Sequence, residues 1–97
     1  MRSVKIPSRI RIKKGVVYEV VYQDEIRGDP DCLGLADGDG KTITIKTGLD
    51  DDELLETLVH ELLHVITFEY LSIKIPHSLI YKLERPILNL LRMNRWV

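Results

Sequence analysis

At Asp50 the hydrophobic pattern of this 97-residue chain changes period, and no other feature of the sequence constrains the fold as strongly. Before that point apolar residues tend to alternate with polar ones; after it they recur every three or four positions. A run of strands followed by a run of helices specifies an α+β fold rather than alternating parallel units. The length suits a single domain around one modest core, so any site must be built on the core elements themselves.

The first helix has a well-marked start. The Asp50 side chain can cap its free amide groups, Glu53 completes a capping box, and Asp51 and Asp52 suit the positive end of the dipole. Leu54, Leu55, Leu58, Leu62, Val65 and Ile66 then form one apolar face, which predicts a helix ending near Leu71 and buried against the strands. Pro76 opens a second helical pattern carried by Ile80, Leu83, Ile87, Leu90 and Leu91. Pro86 lies inside it, removes one backbone donor, and predicts a kink or a break.

Upstream, residues 8–12 and 16–22 read as a hairpin around Gly15, and residues 23–31, with Gly28, Asp29 and Pro30, read as a loop. Residues 33–36 and 41–46 flank the tetrapeptide DGDG and predict a second hairpin. Asp37 and Asp39 belong to its turn; the glutamate that would close a calcium loop is missing. The expected architecture is a small antiparallel or mixed sheet of about four strands packed on the first helix, with a second helix at the carboxyl end.

Composition narrows the classes. With 44% hydrophobic and 30% charged residues the chain reads as globular, and no stretch reaches the ~20 apolar residues of a bilayer span. A single cysteine, Cys32, allows no internal disulfide. Charges interrupt the basic amino-terminal segment too often for a signal peptide's apolar core, so the expected location is cytoplasmic. Arg2, Lys5, Arg9, Arg11, Lys13 and Lys14 all precede the first acid, Glu19. That asymmetry is the sole support for a nucleic-acid partner, and charged residues alternating with apolar ones are more often the wet face of a strand.

Chemistry enters with His60-Glu61-Leu62-Leu63-His64, an HExxH sequence well inside the first predicted helix. A spacing of four sets both imidazoles on one face a turn apart, able to converge on one Zn²⁺ at about 2.0–2.1 Å. Zinc lowers the pKa of its water towards about 7, and Glu61 is placed to take the proton and return it to a leaving amine. The expected activity is zinc-dependent hydrolysis of peptide or amide bonds, as in a zincin. For the third ligand the metzincin pattern would need a histidine where Tyr70 stands, which leaves His77, Glu84 and Glu69. His77 is favoured; Glu84 would give a two-His-one-Glu set, and Glu69 is displaced by about 140° from His64 around the helix.

The stretches IPSRIRI, YEVVYQDEI, LGLADGDGKTITI, ETLVHELLHVI and IPHSLIYKLERPILNLL together resemble small phage and prophage HExxH metallopeptidases over nearly the whole chain. The carboxyl-terminal half is also similar to the core of SprT-like and Spartan proteases, where HExxH is followed after a linker by a third histidine opening another helix. That resemblance implies His77 as the third ligand and a catalytic core, and it leaves the substrate unnamed, because the DNA-binding elements or zinc ribbon of SprT-like enzymes have no counterpart here. By analogy with zincins, an edge strand would line the cleft and pair with an extended peptide or protein substrate, and Thr42–Lys46 is the strand expected there. Tyr18, Tyr22, Tyr70 and Tyr81 include candidate oxyanion stabilisers, with core packing as the competing explanation. Two other readings stay open: a non-catalytic module, such as a phage accessory component, stabilised by zinc with Cys32 or a carboxylate closing the fourth position, and a nucleic-acid-associated protease.

Overall fold

The computed structural model describes residues 5–95, so Arg2 of the basic segment lies outside the described residues. Four strands and two helices follow in the order β1 (Arg9–Lys13), β2 (Val16–Gln23), β3 (Gly34–Asp37), β4 (Thr42–Lys46), α1 (Asp51–Leu71) and α2 (His77–Met93). This is the α+β arrangement expected from the change of period. No helix among the described residues is long and apolar enough to cross a membrane.

The sheet is mixed, with strand order β1-β2-β4-β3. β1 and β2 form the expected hairpin, turning at Gly15 with a φ of 80° that a residue without Cβ adopts freely. β3 and β4 form the second hairpin, and β4 runs parallel to β2, with Val20 opposite Ile43 and Tyr22 opposite Ile45. Thr42–Lys46 is therefore a central strand, bonded on both sides, and not the edge strand expected from the zincin analogy. Its sequence explains the difference: Ile43 and Ile45 are fully buried, and β-branched residues fit a covered, pleated surface. The edge falls instead to β3, four residues containing Gly34 and Ala36, short and poor in side chains as edge strands often are.

α1 lies across one face of this sheet. Tyr18, Val20, Ile43 and Ile45 meet Val65, with Leu54, Leu58 and Leu62 packed around them. On another side of α1, Leu55 and Val59 pack on Leu88 of α2. The predicted apolar face thus divides between two partners, and Ile66, expected inside it, is 43% exposed. The Asp50 carboxylate accepts the Glu53 N–H at 2.8 Å, and α1 stops at Ser72, a left-handed cap whose N–H returns to the Phe68 carbonyl. Pro86 does not break α2. The carbonyl four residues earlier, that of Lys82, lies on an exposed residue where water can replace the missing donor.

Candidate metal centre

The helical repeat alone brings His60 and His64 together, with ring centroids 5.0 Å apart. α2 begins at His77, and the α1–α2 packing sets that imidazole 5.3 Å from the ring of His60 and 4.8 Å from that of His64. One ligand atom from each of the three lies within 4.8 Å of the others, so the group could hold a metal ion. Three residues separated by up to 17 positions in sequence thus converge on one point.

Two further observations fit a cation there. The Nε2 atom of His64 is buried and has no hydrogen-bond partner; leaving such an atom unsatisfied costs about 1–3 kcal/mol, which a ligand bond would offset. Burial, followed by the charges of His64 and His77, pushes His60 down to about 4, and burial then His77 lowers His64. Both imidazoles are consequently neutral near pH 7, the form that donates a lone pair to a metal.

The other sequence candidates separate cleanly. Glu84 Oε2 is 3.8 Å from His60 Nδ1, a carboxylate beside one ligand and not a member of the three-residue group. Burial and then the neighbouring Glu56 raise its pKa, against an opposing contribution from Arg85. Glu69 belongs to a different network: it accepts a hydrogen bond from Tyr18 at 2.5 Å and pairs with Lys41 at 2.6 Å. Cys32 is half-buried, directs its thiol to the Gly34 carbonyl at 3.3 Å, and stands outside the histidine group. Asp37 Oδ1 accepts the Asp39 and Gly40 N–H groups, which makes the DGDG segment the plain turn expected.

Glu61 is 6% exposed and lies between α1 and β3. Burial, then the charge of Glu84, raises its carboxyl to about 7, while a hydrogen bond from the Ala36 backbone acts in the opposite sense. Gly34 makes this position possible. A Cβ there would stand 2.7 Å from Thr57 Cγ2, 3.0 Å from Glu61 Oε2 and 3.1 Å from Glu61 Cγ, so only glycine lets the strand lie this close to the carboxylate. Nothing in the sequence marks Gly34 as a site residue beyond its being a glycine inside the strand pattern of residues 33–36.

A cleft of about 1110 Å³ opens between β3 and the two helices, with His60, Glu61, His64, His77 and Tyr81 on its wall. β3 forms the sheet edge beside it, and basic β1 forms the opposite edge. Comparisons of the chain with protein-family models, with curated proteins and with solved structures return no match.

Proposed function

We propose that the chain is a zinc-dependent peptidase of the zincin type, related in design to the SprT-like core, with His60, His64 and His77 as the metal ligands and Glu61 as the general base. The observation that carries this reading is the convergence of three imidazoles on one point beside a buried carboxylate. Imidazole donors suit zinc, and three protein ligands with no fourth in the group among the described residues match the pattern of catalytic sites rather than structural ones. A bound zinc supplies Lewis acidity, which acidifies water and polarises a carbonyl. The Glu61 carboxylate takes a proton from the attacking water and hands it to the amine nitrogen as the C–N bond breaks. An ordinary glutamate is a weak base and a poor donor near neutrality; one raised to about 7 serves both roles.

The substrate in this reading is an extended polypeptide lying along the free side of β3, where its backbone adds a strand to the sheet. A cytoplasmic setting goes with it. Nucleic acid is a poorer fit to the cleft, because exposed Arg9 and Arg11 stand on β1 at the far edge of the sheet.

Glu61→Gln keeps nearly the same shape and removes the base. Zinc content should stay at the wild-type level while chelator-sensitive cleavage of an unstructured polypeptide drops by about 10²–10⁴-fold. Undiminished cleavage by the variant would show that another group is the base. A zinc-loaded wild-type protein that cleaves nothing would favour the accessory module.

A further inference from the structure

Hydrolysis of a peptide bond needs more than a base. As the water oxygen bonds to the carbonyl carbon, the C=O π pair moves onto the carbonyl oxygen, and a donor already in place near that oxygen stabilises the charge it gains. Glu61 accepts the proton and cannot fill this role. The four tyrosines of the chain are among its neutral donors, and the structure separates them.

Tyr18 is fully buried and its hydroxyl is given to Glu69 at 2.5 Å. The Tyr70 hydroxyl donates to the Ile12 carbonyl at 2.9 Å. Tyr22 sits on β2, two strands away from the cleft edge. Tyr81 alone of the four combines a place on the cleft wall with a hydroxyl that makes no hydrogen bond among the described residues. It lies four positions after His77, on the same side of α2, and its ring centroid is 5.2 Å from His60 and 6.4 Å from His77. The side chain is also 62% exposed, so core packing does not account for it.

We infer that Tyr81 is a further catalytic residue, whose phenol hydroxyl hydrogen-bonds the carbonyl oxygen of the scissile bond as that oxygen takes on charge. This rests on the hydrolase reading above. No bond to the tyrosine forms or breaks: the phenol keeps its proton while the C=O pair becomes a lone pair on oxygen, and it releases that oxygen when the C–N bond cleaves. Because the interaction strengthens only as charge develops, its loss falls on kcat and leaves KM almost unchanged.

The test compares the zinc-loaded wild type with Tyr81→Phe, using Tyr22→Phe as a control outside the cleft. Three quantities are measured: zinc per chain, kcat and KM on dye-labelled unfolded casein, and the affinity of a phosphonamidate dipeptide that mimics the tetrahedral state. Tyr81→Phe should retain its zinc, lose about 10²–10³-fold in kcat with KM nearly constant, and bind the phosphonamidate more weakly. Tyr22→Phe should match wild type. If Tyr81→Phe keeps the wild-type kcat and phosphonamidate affinity, the assignment of Tyr81 is wrong and the hydrolase reading stands. A rise in KM alone, or loss of zinc from the variant, would likewise overturn it, by making the ring a substrate platform or a support for the metal. A zinc-loaded wild type that neither cleaves casein nor binds the phosphonamidate would end both proposals together.

Discussion

Glu69 shows how one side chain on the motif helix can belong to a different task. Hydrogen bonds from Lys41 and from Tyr18 hold its carboxyl below the ordinary range, outweighing the cost of burial. A carboxylate with a lowered folded-state pKa adds stability above its unfolded value of 4.5, and that contribution disappears as pH falls through the folded value. Glu69→Gln should therefore lower the melting temperature at pH 7, with the gap to wild type closing below pH 4.5 in a pH series of thermal melts. A gap of constant size at every pH would mean that shape, not charge, stabilises this position. At the same scale, the pair His60 and His64 with Glu61 was readable because a helix converts a spacing of four into proximity without reference to the rest of the chain. His77 needs the fold: in the sequence it competes with Glu84, and only the packing of α2 on α1 distinguishes a group member from a carboxylate 3.8 Å from His60 Nδ1.

For elements, the pattern of hydrophobicity locates strands and helices but says little about which strand lies beside which. Both hairpins and the cap at Asp50 were legible because turn and cap chemistry is local. The position of β4 in the centre was not, since it depends on how the second hairpin docks on β2, a contact between residues more than twenty apart. That docking leaves β3 beside α1 and gives Gly34 its role. Gly34→Ala should cost about 1–3 kcal/mol by overpacking against Thr57 and Glu61. Denaturant unfolding measures that cost. Because the displaced group is Glu61 and not a histidine, the folded variant should keep its zinc and lose cleavage of unfolded casein. Wild-type turnover in Gly34→Ala would show that the close approach of β3 does not fix the carboxylate.

Taken whole, the molecule sets its cleft at one edge of the sheet and its basic strand at the other, with α1 bridging sheet and second helix. His60 and His64 come from α1 and His77 from α2, so an ion bound by all three ties the two helices together at the end of the linker that joins them. Such an ion stabilises the folded state by mass action, about 4 kcal/mol when free zinc is 1,000 times its dissociation constant. If the three histidines make one zinc site, zinc content measured by elemental analysis after equilibration at neutral pH will show it. The wild type should hold about one Zn²⁺ per chain, His77→Ala should lose most of it, and Glu84→Ala should weaken affinity by no more than about 10–100-fold. A wild-type protein without zinc under these conditions would rule out a three-histidine site, and a His77→Ala variant that holds zinc as well as wild type while folded Glu84→Ala is empty would put Glu84 in the place of His77.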